Sequence, residues 1–202
     1  MPMVSELVPL FHTLTRPNKE RLLGQRTKVI WLFGLSGAGK STLAHALERR
    51  LYTEGIATCL LDGDSLRAGL NRDLGFSDAD RTENIRRAAE VARIALDTGL
   101  VVIAAFITPL REQRRLACTI VGQDDFISVH AAASYEVCRQ RDLKGLYAKV
   151  AAGEVKQFTG RDSLFELPEG NEIALSLDTG GESPEASIER LCAFVLPQVR
   201  LR

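Results

Sequence analysis

The run Gly34-Leu35-Ser36-Gly37-Ala38-Gly39-Lys40-Ser41 has the spacing G-x-x-x-x-G-K-[ST]. Glycines let backbone N–H groups turn inward around an anion, and a helix that starts at the same point adds the positive end of its dipole. In such a loop Lys40 meets the β- and γ-phosphates of a nucleoside triphosphate and Ser41, with Thr42 behind it, stands where a phosphate-bound Mg²⁺ takes an oxygen. A usual companion of this loop is an apolar strand ending in a metal-linked Asp, yet Val101 to Ile107 contains no acid, so the carboxylates must come from elsewhere. Asp62-Gly63-Asp64 supplies them: acids on either side of a glycine, after a strand, can hold metal water and take a proton from an attacking hydroxyl. Taken alone these residues would also serve as an Asp-Gly turn with Asp64 capping a helix.

The elements that must place these groups follow a βα alternation. Val29 to Phe33 is a short apolar run closing on glycines, as a buried parallel strand should be. Ser41 to Glu54 is expected to be a helix with Leu43, Ala46, Leu47, Arg50 and Leu51 on one face and Gly55 as its cap. Further strands are expected over 57–61, 100–107, 126–130 and 172–177. Helices are expected over 78–98, 111–121 and 134–141, with a last one opening at Ser183 and Pro184. This pattern predicts an α/β fold of the P-loop NTPase kind, a mostly parallel sheet with helices on both faces. Asp62-Gly63-Asp64 then falls at the carboxyl edge, where such sheets place their ligands. Residues 1–27, interrupted by Pro2, Pro9 and Pro17, are expected to form an arm on a kinase domain spanning 28–202. The polar, glycine-punctuated stretch 144–167 is expected to be an active-site lid.

The later segments extend the reading. Asp62-Gly63-Asp64 is followed by Arg67, then by Leu74-Gly75-Phe76-Ser77 and Asp78-Ala79-Asp80-Arg81-Thr82-Glu83-Asn84-Ile85-Arg86-Arg87. In order come Phe106-Ile107-Thr108-Pro109, Arg141-Asp142-Leu143-Lys144-Gly145-Leu146-Tyr147 and Lys156-Gln157-Phe158-Thr159-Gly160. From about Lys28 to Thr179 the chain closely resembles the adenylylsulfate kinase family. The resemblance implies phosphorylation of the ribose 3′-hydroxyl of adenylyl sulfate by ATP, with Mg²⁺. It implies that Asp64 orients or deprotonates the hydroxyl, that Lys144 reaches phosphate or acceptor, that Arg141 packs near the ATP adenine, and that Ile107 and Thr108 belong to the acceptor side. Phe76 and Phe158 would sandwich the acceptor's adenine, Phe158 swinging in with the lid and Phe76 placed beforehand. Arg67 and Arg81 would clamp the phosphosulfate through paired hydrogen bonds, with Asn84 one helical turn beyond Arg81. Arg86, Arg87 and Arg93 fit a solvated helix face better.

Departures from the family pattern matter. Thr108 stands where the family has a serine proposed as a phosphorylated intermediate; a hydroxyl capping a strand end before Pro109 is the favoured role, since phosphoryl transfer needs positioning and charge neutralisation more than a nucleophile. Leu143 replaces a proline, and Leu164-Phe165-Glu166 replaces P-Y-E, which bears on lid geometry and not on the chemistry.

Composition narrows the classes. The 202 residues carry equal numbers of basic and acidic side chains, 26 each, so no positive excess awaits a nucleic acid. No apolar run suits a bilayer span or a leader, and the cytoplasm is the expected compartment. Cys59, Cys118, Cys138 and Cys192 show no C-x-x-C pair and are expected to be free buried thiols. His12, His45 and His130 match no metal spacing and are expected to be structural or surface residues. A homodimer is implied by the resemblance only. The competing readings are a P-loop kinase for another hydroxyl acceptor, disfavoured by the phenylalanine pair, and a silent nucleotide-binding partner of ATP sulfurylase, disfavoured by the intact Lys40, Ser41, Asp62 and Asp64.

Overall fold

The computed structural model describes residues 14–142, 145–154 and 158–201. Its centre is a five-stranded parallel sheet in the order β2-β3-β1-β4-β5, with β1 Val29–Phe33, β2 Thr58–Asp62, β3 Val101–Ala105, β4 Phe126–Ala131 and β5 Leu175–Leu177. Every side chain of β1 and β3 is buried, which explains why both strands read as unbroken apolar runs.

Alternation along the strands divides the core between the faces. Ile30, Leu32, Ile103 and Val129 meet Leu43, Leu47 and Leu51 of α2 (Lys40–Thr53) and Leu191 and Val195 of α8 (Pro184–Val199). Val29, Trp31, Phe33 and Val102 meet Ile85, Ala88, Ala92 and Leu96 of α4 (Asp78–Asp97) and Ala117 and Val121 of α5 (Arg111–Val121). Arg50, expected on the packed face of α2, is exposed instead. Local chemistry starts the helices where they start: the Ser77 and Ser183 hydroxyls accept from the amides of Asp80 and Ala186.

Three elements depart from the sequence reading. The first is a helix, α1 (Arg16–Leu23), within the segment expected to be an arm. Pro17 lies in its first turn, where a missing N–H costs nothing, and no residue of it is buried, so it carries no apolar period to read. Polar contacts hold it. Arg16 makes a two-pronged ion pair with Asp125, Lys19 donates to the Asp97 carbonyl, and the buried Gln25 beyond it bridges Ala57 and Gly99. Second, β3 stops at Ala105, not 107: Phe106 still donates to the Leu32 carbonyl and Ile107 accepts from the Gly34 amide, but Thr108 turns to φ 40° and ends the extended run. Third, β5 is shorter than expected, since Gly170–Glu172 forms a 3₁₀ turn that brings Glu172 against the buried Arg114. Within the expected lid, α7 (Leu146–Ala151) buries Tyr147 and Val150 in the core.

Candidate active site

The carboxyl ends of β1, β2 and β3 open into a cleft of about 470 Å³. On its floor lies the 34–41 loop. Gly34 leaves β1 with φ 149° and passes so close to β4 that a Cβ there would sit 2.5 Å from the Ala131 carbonyl oxygen, so no other residue fits without moving the sheet. Gly39 caps α2 at φ 91°, a left-handed turn that aims the first helical amides into the loop. Ser36, Gly37, Gly39, Lys40, Ser41 and Thr42 line the cleft. Leu35 and Ala38 point into the core and Gly34 lies behind the loop, so any contact these three make with a phosphate runs through the backbone. The Lys40 ammonium folds over the loop and donates to the carbonyls of Gly34 and Leu35 at 3.0 and 2.7 Å.

Beside the loop, the Ser41 hydroxyl donates to Asp62 Oδ2 at 2.9 Å. Asp62 Oδ1 accepts from the Asp64 amide at 3.0 Å, capping α3 (Gly63–Ala68) and setting Asp64 in its exposed first turn. Asp62, not Asp64, is therefore the helix cap, and both carboxylates line the cleft. Ser41 and Asp62 offer neighbouring hard oxygens, the donor type Mg²⁺ prefers when phosphate and water complete its shell.

The far wall comes from α3 and α4. Arg67 donates to the carbonyls of Leu74 and Gly75 and stacks over the Phe76 ring at 4.5 Å. Arg81 donates to the Phe76 carbonyl and, at 3.1 Å, to the Thr159 hydroxyl, and lies 5.8 Å from the same ring. Both guanidiniums are held below their ordinary pKa, first by desolvation, and Arg81 also by the charge of Arg67. Such a crowded, half-dehydrated pair favours an anion. Asn84 is buried at the cleft wall and accepts from Asn71 Nδ2 at 2.9 Å. Phe76 is 61% exposed, whereas Phe158 is 8% exposed and sits edge-on against Tyr147 at 4.8 Å. The ring expected to swing in is thus already packed, and the one expected to be pre-placed stands out in solvent.

These features describe a phosphate loop facing an anion-binding wall, and the sequence comparison decides which family built them. The model of the adenylylsulphate kinase family matches residues 26–176. The chain belongs to the adenylylsulphate kinase family. It is 50% identical over 196 residues to an adenylyl-sulfate kinase of Bacteroides thetaiotaomicron, covering 96% of each chain. It is 51% identical over 196 residues, with the same coverage, to one of Bacteroides fragilis. Among solved structures, an APS kinase of Mycobacterium tuberculosis in complex with AMPPNP and APS superposes with a TM-score of 0.79 at 42% identity, over 85% of this chain and 98% of that one.

Other motif residues find definite places in this family member. Thr108 is 1% exposed, and its hydroxyl oxygen accepts from the Trp31 indole N–H at 2.9 Å, so it is tied into the core as well as lining the cleft. Ile107 lines the cleft, and its carbonyl accepts from the Gly34 amide at 3.2 Å. Arg141, at the end of α6 (Tyr135–Arg141), is outside the cleft; it donates to the Thr179 carbonyl at 2.5 Å and to Gly37 at 3.5 Å, spanning from the phosphate loop to the segment before α8. Lys144, Leu143, Lys156 and His12 lie outside the described residues. Arg86 and Arg87 pair with Glu83, whose carboxyl those bonds hold down at about 2, and Arg93 pairs with Asp97. His45 is exposed near Glu48, and His130 is buried and stacked on Phe33. Cys138 and Cys192 are buried, but Cys59 and Cys118 are only half-buried, a correction to the expectation for all of them. Cys59 lies on β2, an edge strand of the sheet, and Cys118 lies off the buried face of α5 formed by Gln113, Arg114, Ala117 and Val121.

Among the cleft residues without an assigned role in the sequence reading, three make polar side-chain bonds that join elements of the site. Tyr147 donates from its hydroxyl to the Ser36 carbonyl at 2.8 Å, joining α7 to the phosphate loop. Gln113 is buried and donates to the Thr82 hydroxyl, linking α5 to α4. Thr159 meets Arg81 through its hydroxyl; like Tyr147 it belongs to a segment that carries the family resemblance.

Proposed function

We propose that this chain transfers the γ-phosphoryl group of ATP to the ribose 3′-hydroxyl of adenylyl sulfate, giving 3′-phosphoadenylyl sulfate and ADP. The observation that carries the reading is one cleft holding the phosphate loop, the Asp62–Asp64 pair and, opposite, an aromatic ring flanked by Arg67 and Arg81. A substrate with phosphosulfate, ribose and adenine uses each of these groups; an acceptor without a base leaves the aromatic wall idle.

Phosphoryl transfer asks the protein for alignment and for charge to meet the charge that spreads over the transferred group. Lys40 and the loop amides do this at the donor; family membership assigns Arg141 to the ATP adenine and Lys144 to the phosphate or the acceptor. Ser41 and Asp62 would hold Mg²⁺, which supplies charge neutralisation across the donor phosphates when bound. Asp64, on a turn fixed by its amide bond to Asp62, orients the acceptor hydroxyl and takes its proton as the oxygen attacks phosphorus. On the acceptor side, Arg67, Arg81 and Asn84 bind the phosphosulfate, Phe76 and Phe158 the adenine, and Ile107 and Thr108 form the wall behind. Thr108 carries no phosphoryl group in this scheme, because its hydroxyl serves Trp31.

The further parts of the reading extend the sequence patterns, an arm over 1–27, a kinase domain over 28–202, a lid near 144–167 and a cytoplasmic location, and the family resemblance, a homodimer and coupling to ATP sulfurylase as the source of adenylyl sulfate. Among the described residues no helix is long and apolar enough to cross a membrane. The test is a coupled ADP-release assay with ATP and Mg²⁺, offering adenylyl sulfate, AMP, adenosine and a sugar acid in turn. Strong preference for adenylyl sulfate is expected. Equal turnover of a sugar acid, or release of ADP without any acceptor dependence, overturns the assignment.

A further inference from the structure

Asn84 can serve an anion only if the correct end of its amide faces the cleft. One end of a carboxamide is a pure acceptor and the other a pure donor. In this structure the oxygen is committed: Asn71 Nδ2 donates to Asn84 Oδ1 at 2.9 Å. Among the described residues no group accepts from Asn84 Nδ2, and the residue lines the cleft beside Arg81. We infer that Asn71, which belongs to no motif above, is a positioning residue that turns the donor end of Asn84 toward the anionic part of the acceptor. The inference rests on the acceptor reading given under Proposed function.

Asn71 is suited to hold one orientation. It is 0% exposed, in the loop between α3 and α4, and its main-chain amide is tied to the Leu66 carbonyl at 2.7 Å. Its own Oδ1 is buried with no donor in reach. The reversed pairing would put the Asn71 amino group, with its two protons, in that partnerless position. Buried N–H groups without an acceptor are rarer than oxygens without a donor, so reversal is the worse arrangement. It would also aim the Asn84 carbonyl at the anion that Arg67 and Arg81 attract. An unpaired buried oxygen is a standing cost, and native proteins keep such costs chiefly where a site needs them.

The experiment is steady-state kinetics of the full chain with ATP and adenylyl sulfate for Asn71→Asp, Asn71→Ala, Asn84→Ala and the double Asn71→Ala/Asn84→Ala variant, each checked by thermal melting. At a pH where it is ionised, Asn71→Asp can only accept, so Asn84 must rotate its amino group inward; the KM for adenylyl sulfate should then rise roughly tenfold or more, as for a lost bond to a charged group. Asn71→Ala should raise it severalfold, and both should leave the KM for ATP within about twofold. In the Asn84→Ala background, Asn71→Ala should change the acceptor KM by less than about twofold, because there is no longer an amide to orient. An equal factor in both backgrounds, or a loss shared with ATP, overturns the inference while leaving the kinase assignment standing. A wild-type protein that ignores adenylyl sulfate overturns both. Should Asn71→Asp fail to fold, the alanine cycle decides alone.

Discussion

Phe76→Ala and Phe158→Ala form a paired perturbation in which binding and stability should separate. Phe76 is 61% exposed and its contacts are the guanidiniums of Arg67 and Arg81, so its removal forfeits a cation–π contact of about 0.5–1 kcal/mol and little packing. In a chain of this length that lowers Tm by no more than about 2–4 °C. The adenine loses a stacking partner worth about 1–3 kcal/mol, a five- to 150-fold loss of acceptor affinity, roughly. Phe158 is 8% exposed, belongs to the core cluster with Val150 and Leu35, and meets Tyr147 edge-on. Its truncation should cost about 3–5 kcal/mol of stability, a fall in Tm on the order of 10 °C. Besides losing its own contact with the adenine, the variant should loosen Tyr147, whose hydroxyl holds the Ser36 carbonyl, so ATP affinity should weaken in this variant and not in Phe76→Ala. Thermal melts with calorimetric titration of ATP and of adenylyl sulfate read all of these. A Phe76→Ala protein that melts as low as Phe158→Ala and still binds adenylyl sulfate normally would refute the reasoning, since it would make Phe76 a core residue.

Lys40→Ala and Asp64→Asn should each lower kcat by about two orders of magnitude or more, the first by removing charge at the donor phosphates and the second by removing the base at the acceptor hydroxyl; near-normal turnover of Asp64→Asn in the ADP-release assay cancels its role. Thr108→Val keeps the branched shape at φ 40° but leaves the buried Trp31 N–H without an acceptor, so stability should fall by about 1–3 kcal/mol in denaturant titration while kcat stays within about threefold. Loss of kcat in a folded Thr108→Val protein, or a phosphothreonine turning over at the catalytic rate, contradicts this. Burial, with Arg114 nearby, pushes His130 down to about 4, so the unfolded chain takes up a proton that the folded one refuses between its ordinary value near 6.5 and 4. Stability should therefore decline as pH falls through that window, by about 1–3 kcal/mol at its lower end, and His130→Phe should flatten the decline in urea titrations at pH 7 and pH 5.

The five strands, the helices α2, α4, α5, α6 and α8, the phosphate loop and the family followed from the sequence, because each leaves a pattern among near neighbours in the chain. A buried parallel strand announces itself as a continuous apolar run, an amphipathic helix by its period, and a phosphate loop by glycines that must turn where they stand. Residues such as Arg67, Phe76 and Arg81 could be drawn from motifs for the same reason. The tertiary structure decided what depends on groups far apart in the chain. Whether Thr108 faces a phosphate or a core indole is set by Trp31, on the neighbouring strand. The division of labour between Asp62 and Asp64 is set by Ser41 and the first turn of α3. Helix α1 lacked an apolar period because ion pairs and carbonyl contacts hold it to the rim of the sheet. Asn71 drew no notice because a lone asparagine in a loop carries no pattern. Its place opposite Asn84 exists only once α3 and α4 have folded against each other, since a hydrogen bond depends on distance in space and is blind to distance along the chain.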